Sequence, residues 1–125
     1  MSRALVKEYE EIVEVINKYV QGVVSGKSEI MKPSFHKDAT IFGYVNGVHL
    51  VEGSIQNLYD GIDQGEPAPN LKAKIDILDL EGTVASARVV LEDGGAVLYT
   101  DLHHLFKIDG EWKIVSKIFH DHSKE

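Results

Sequence analysis

Apolar residues recur along the start of the chain at steps of four and three: Leu5, Tyr9, Ile12, Ile16, Tyr19 and Val23. That spacing puts them on one face of a 3.6-residue period and predicts an amphipathic helix. Ser2 suits its N-cap. Gly22 and Gly26 are poor helix formers and predict an end between them. Ser28 and Glu29 open a short second helix, which Pro33 and His36 close. The period then changes to two. Ala39 to Val45 and Val48 to Val51 read as strands around Asn46-Gly47, a strong signal for a two-residue hairpin. Ser54 caps a third helix, Ile55 to Ile62, whose inward face carries Ile55, Leu58, Tyr59 and Ile62. Residues 65–70 hold two prolines and a glycine and read as a loop.

Four strands follow: Leu71–Leu80, Thr83–Glu92, Ala96–Ile108 and Glu111–His120. Each separator, Glu81-Gly82, Asp93-Gly94-Gly95 and Asp109-Gly110, is a turn signal. These strands exceed the usual length of about five or six residues, so they must twist and bend to cover a core. In the first of them the apolar parity slips from Ile75 and Ile77 to Leu78 and Leu80, which predicts a β-bulge. Helices early and strands late predict one α+β domain over residues 1–125. Its expected form is a cone-shaped, curved, mainly antiparallel six-stranded sheet wrapped around three N-terminal helices, with a ligand site at the open end.

Charge and composition narrow the partners. The formal net charge of -7 comes with no Lys/Arg cluster, so a phosphate backbone is repelled and nucleic acid is not an expected partner. No apolar run approaches the roughly 20 residues that span a bilayer, so no membrane is expected either. The N-terminus meets charge too early for a signal peptide. The chain has no cysteine, which removes disulfides and thiolate chemistry and fits a reducing cytoplasm, the expected location. No P-loop or Gly-rich dinucleotide loop is present, and no cofactor is expected.

Asp101 and His103 stand two apart on a strand and therefore share a face. A carboxylate beside an imidazole can fix its tautomer and raise its pKa, as a general base requires. If that face lines the cone, the pair is the leading catalytic candidate; if it faces outward, the pair is a solvated contact. His104 must face the opposite way. His120 and His122 share a strand face, and with His103 they could approach a zinc site, but they close the chain and no helical His spacing supports them, so no metal is predicted. His36 and Asp38 read as turn chemistry. Tyr19, Tyr59 and Tyr99 are aromatic residues expected to reach the interior, each with a hydroxyl that needs a partner. Arg88, between Ser86 and Val90, is either a pocket cation or a solvated side chain. The expected ligand set is Tyr19, Tyr59, Arg88, Tyr99, His103 and His120.

Four stretches bring in a resemblance. They are Tyr19-Val20 with Gly26, Phe35-His36-Lys37-Asp38-Ala39-Thr40, Gly53 through Leu58-Tyr59, and Phe106-Lys-Ile-Asp-Gly-Glu-Trp-Lys-Ile114. In order and spacing the chain resembles the nuclear transport factor 2-like superfamily, which includes ketosteroid isomerases and SnoaL-like cyclases. Its ending is most similar to the lumazine-binding-like family of small bacterial proteins. The resemblance implies that Tyr19 takes the place of an oxyanion donor and His103 that of a second donor. The isomerase base falls at Gly43, which has no side chain, so ketosteroid isomerisation by that mechanism is rejected. It also implies a homodimer through the convex sheet face. Three functions stay open. The first is a pocket for a small hydrophobic or heteroaromatic ligand. The second is a cofactor-independent isomerase, cyclase or lyase using Asp101, His103 and Tyr19, and the third a partner-binding module with a filled core.

Overall fold

A computed structural model describes residues 5–50 and 52–124. Helix α1, Val6–Ser25, buries Ile12, Ile16 and Tyr19 of the predicted stripe with Val20 beside them, while Leu5 and Tyr9 of that stripe are exposed. Each buried isoleucine contributes about 2 kcal/mol. The predicted cap, Ser2, lies outside the described residues. At the other end Gly26 is left-handed at φ 68, and the amides of Gly26 and Lys27 close the helix on Val23 and Gly22. Helix α2, Ser28–Met31, runs into a 3-10 turn over Lys32–Ser34. Asp63 holds its start, accepting from the Ser28 amide at 2.9 Å and the Ser28 hydroxyl at 2.7 Å.

Strand β1, Phe35–Val45, starts before the predicted Ala39. It turns into β2, Val48–His49, through Asn46 at φ 51 and Gly47 at φ 81, the paired left-handed geometry of a type I′ hairpin. Val51, the predicted end of that strand, lies outside the described residues. Helix α3, Gln56–Gln64, is preceded by Ser54, whose hydroxyl accepts the Gln56 amide at 3.1 Å. Strands β3 Lys72–Glu81, β4 Val84–Asp93, β5 Ala96–Ile108 and β6 Glu111–Asp121 follow as predicted to within a residue.

The six strands form one curved, unclosed sheet in the order β2-β1-β6-β5-β4-β3. Only the β1–β6 pair is parallel, with Ile41 beside Lys117 and Gly43 beside Phe119. The helices cover the concave face. Glu8 pins α1 to the β5–β6 hairpin, accepting from Lys107 Nζ at 2.7 Å and from Trp112 Nε1 at 2.9 Å.

The register shifts in β1, β3, β5 and β6, and the bulges in β3 and β6 bear most on which side chains enter the core. In β3 the register jumps between Ile77 and Asp79, leaving Leu78 as the extra residue, exposed, as the parity slip predicts. In β6 the register passes from Leu105 opposite Ile114 to His104 opposite Ser116, so Val115 is extra. Trp112 and Ile114 point inward before it. After it the inward residues are Lys117, Phe119 and Asp121, while Ile118 and His120 are outside. Among the described residues, no helix is long and apolar enough to cross a membrane.

Candidate functional site

Four polar side chains meet in the core between α1, β5 and β6. Asp101 is at their centre and is fully buried, as is His103. The Tyr19 hydroxyl donates to Asp101 Oδ2 at 2.8 Å. His103 Nε2 faces the same oxygen at 3.3 Å. Lys117 Nζ lies 3.6 Å from the other oxygen, Oδ1. Lys117 is 4% exposed, and its ammonium group lies over the Phe119 ring at 4.3 Å and the Tyr19 ring at 5.6 Å.

Burial raises the Asp101 carboxyl, but Lys117, His103 and Tyr19 together outweigh it and hold the group below the ordinary 3.8. Asp101 is therefore a buried carboxylate at neutral pH. Burial lowers His103 from 6.5; Asp101 opposes that shift and Lys117 adds to it. A neutral imidazole facing a carboxylate keeps its proton on the facing nitrogen, which makes Nε2 the donor. Nδ1 is then an acceptor, and like Asp101 Oδ1 it has no hydrogen-bond partner. Burial also lowers Lys117 from 10.5, with Asp101 pulling partly the other way. Tyr19 is pushed well above 10.0 by burial and by the Asp101 charge.

Lys117 opens onto a cavity of about 390 Å³, within the roughly 300–1,000 Å³ of small-molecule sites. Its walls are chiefly apolar, supplied by Ile41, Leu50, Leu58, Ile62, Leu91 and Phe119, with Tyr19, Asn57 and Tyr99 adding polar atoms. Val45 and Gly61 are exposed at its mouth, and Tyr19, Leu91 and Lys117 are buried at its far end. Lys117 is the one charged side chain among the described residues that line it.

Several expected site residues lie elsewhere. Arg88 is exposed on the outer face, because Ala87 and Val89 take the inward positions of β4. His120 is also outside, because the Val115 bulge reverses the parity of β6. Tyr59 packs edge-on against Phe35 at 6.1 Å with Lys32 5.2 Å over its ring, away from the cavity wall; burial raises it to about 12. His103 points inward, as the resemblance implies, but it sits behind Asp101 and does not line the cavity. Tyr99 does line it, edge-on to Phe119 at 5.9 Å. The Tyr19 ring lines it too, but the hydroxyl proton goes to Asp101. Asp38 bonds through its amide to His36 Nδ1 at 2.9 Å and pairs with Lys37 in solvent, so this turn takes no part in the site. His104 is on the outer face, as expected. Among the described residues, no cluster of three or more His, Cys, Asp or Glu could hold a metal.

Lys117 is the residue that sequence reasoning missed. Alternation from Trp112 and Ile114 points to Ser116, Ile118 and His120, and hides a lysine one step out of phase. The signal available was the doubled apolar pair Ile114-Val115, the same kind of slip that marks Leu78. At Gly43, where a side chain might have supplied a base, a Cβ would meet the Phe119 ring at 2.6 Å. Phe119 has taken that space and forms one wall around the amine.

Comparison with known proteins agrees with the fold. Residues 7–120 match the model of the family described as Putative lumazine-binding. The aldolase FrzH of Cladobotryum sp is 37% identical over 118 residues, 94% of each chain. A nuclear transport factor 2-like protein of Shewanella baltica OS155 superposes with a TM-score of 0.86 at 44% identity, covering 97% of this chain and 98% of that one. One from Methylobacillus flagellatus KT gives a TM-score of 0.88 at 43% identity, covering 96% of both chains.

Proposed function

The chain belongs to the Putative lumazine-binding family of the nuclear transport factor 2-like fold, and from that membership we propose a cofactor-independent enzyme that acts on a small, largely apolar carbonyl compound. Family and fold point to a ligand-binding or isomerase-type role, and the aldolase relative points to catalysis. The observation that carries the reading is the Lys117–Asp101 pair at the far end of an otherwise apolar cavity. A carbonyl oxygen placed against Lys117 gains charge as the neighbouring α-proton passes to solvent water, and a buried ammonium stabilises that charge more strongly than water does. Aldol addition, its reversal and double-bond migration all pass through such an enolate.

The test needs no natural substrate. Cyclohexanone and acetophenone are incubated with the protein in heavy water, and loss of their α-hydrogen signals is followed by NMR. The wild type is expected to accelerate exchange, and Lys117→Met to reduce it by about a hundredfold, the scale of a general acid or base. Exchange equal to buffer removes the enzymatic reading. A binding-only pocket is the second reading, favoured by Gly43: no carboxylate among the described residues lines the cavity. Binding without exchange would select it.

We further propose that two copies pack through the outer sheet face. Val84, Leu102, Phe106 and Ile118 are exposed there, and a groove of about 460 Å³ runs beside Val84, His104 and Phe106. Apolar side chains exposed together on one sheet face are covered most simply by a second copy of the chain.

A further inference from the structure

We propose that Lys117 is a covalent catalytic residue, whose Nζ condenses with a ketone or aldehyde carbonyl held in the cavity to form an imine. This rests on the carbonyl reading above and goes beyond it, since enolisation alone needs only an ammonium near oxygen.

Three observations favour the covalent step. First, the amine is placed but not locked. It is 3.6 Å from Asp101 Oδ1, beyond a normal hydrogen bond, and Oδ1 has no other hydrogen-bond partner. That gap leaves the nitrogen lone pair free to turn to the cavity once the ammonium has lost its proton to solvent. Second, the amine lies between aromatic rings, with Phe119 at 4.3 Å and Tyr19 at 5.6 Å, and is 4% exposed. Burial of this kind favours the neutral, nucleophilic form. Third, the remaining wall is chiefly apolar and, among the described residues, offers no second cation, so the site suits a neutral ligand whose reactive group is an electrophilic carbon.

The titratable groups turned toward Lys117 are Asp101 and His103 from β5 and Tyr19 from α1, with Tyr99 sharing the cavity. Asp101 raises the amine's proton affinity and burial lowers it, and burial is the larger effect. Asp101 is a positioning residue, because it acts through Lys117 and does not line the cavity.

The step balances without an oxidant or reductant. The neutral amine attacks the carbonyl carbon, and one nitrogen proton ends on the oxygen. The carbinolamine then loses water, whose second proton is the remaining nitrogen proton, leaving C=N. With a β-diketone, one proton from the central carbon returns to nitrogen and gives a conjugated enaminone, which absorbs in the near ultraviolet.

Acetylacetone is therefore the probe. The wild-type protein should develop the enaminone band. Peptide mapping should place one diketone, less one water, on Lys117 ahead of the exposed lysines. The pH profile of the rate should have its midpoint below 10.5. Lys117→Arg keeps a cation but no nucleophilic amine and should give no band. Asp101→Asn removes the group that raises the amine, and should move the midpoint lower still. Should Lys117→Arg fail to fold, mapping of the unmodified protein decides the matter alone. An adduct spread over surface lysines, or none, overturns the imine. If cyclohexanone still exchanges its α-hydrogens in that case, the carbonyl reading survives; loss of both binding and exchange removes that reading as well.

Discussion

Asp101 gathers three partners, and each changes what the others can do. Tyr19→Phe removes the 2.8 Å bond to Oδ2 and leaves that oxygen with His103 alone. A lost hydrogen bond to a charged group costs about 1.5–3 kcal/mol. Urea denaturation should show a loss of that size, and a loss below about 0.5 kcal/mol would mean that the bond contributes little. His103 makes stability depend on pH. Its folded pKa lies below 6.5, so the unfolded chain binds the proton more readily, and stability falls as pH drops through that value. Asp101 acts in the same direction further down: its carboxyl is held below 3.8, and its contribution is lost as pH falls below that. His103→Gln keeps a donor but cannot titrate. Its thermal midpoint should lack the first decline and keep the second, whereas a profile matching the wild type would show that His103 is not the group responsible.

Among the elements, β6 decides the most. It pairs with β1 and β5, and its bulge at Val115 brings Lys117 inside while sending His120 out. The same strand supplies Phe119, whose ring rests where a side chain at position 43 would project. Gly43→Ala should therefore push against that ring, at the cost of about 1–3 kcal/mol typical of overpacking. Because Phe119 also covers Lys117, the change should slow enaminone formation as well as lower the melting temperature. Unchanged stability and rate would show that Phe119 moves aside freely. Strand positions, hairpin turns and the Leu78 bulge were legible because they depend on short-range parity and turn residues. The Val115 bulge was harder to see, because Val115 is apolar and fits either face, so the doubled pair Ile114-Val115 was its one local mark.

For the molecule as a whole, the open question is the outer face. Val84, Leu102, Phe106 and Ile118 are between 43% and 52% exposed in the single chain, a set of apolar side chains on one face that a second copy would cover. Two copies should associate there, and sedimentation should report twice the 13.9 kDa of one chain. Phe106→Glu should return the mass to that of a monomer and leave acetylacetone labelling intact, since Phe106 is on the face opposite the cavity. A wild-type monomer at micromolar concentration would refute the pairing.

The sequence by itself determined the element order, the sheet, the inward direction of Tyr19 and the shared face of Asp101 and His103. Period and turn chemistry are local, and residues two apart on a strand share a face where no bulge falls between them. Tertiary structure decided the rest. It alone placed His103 behind the carboxylate and away from the cavity, packed Tyr59 against Phe35, and turned Arg88 outward. It also chose Lys117 as the amine that faces the cavity. Those outcomes depend on which of two faces is covered and on one unpaired residue in β6, and both are settled only when α1 and β5 pack against that strand.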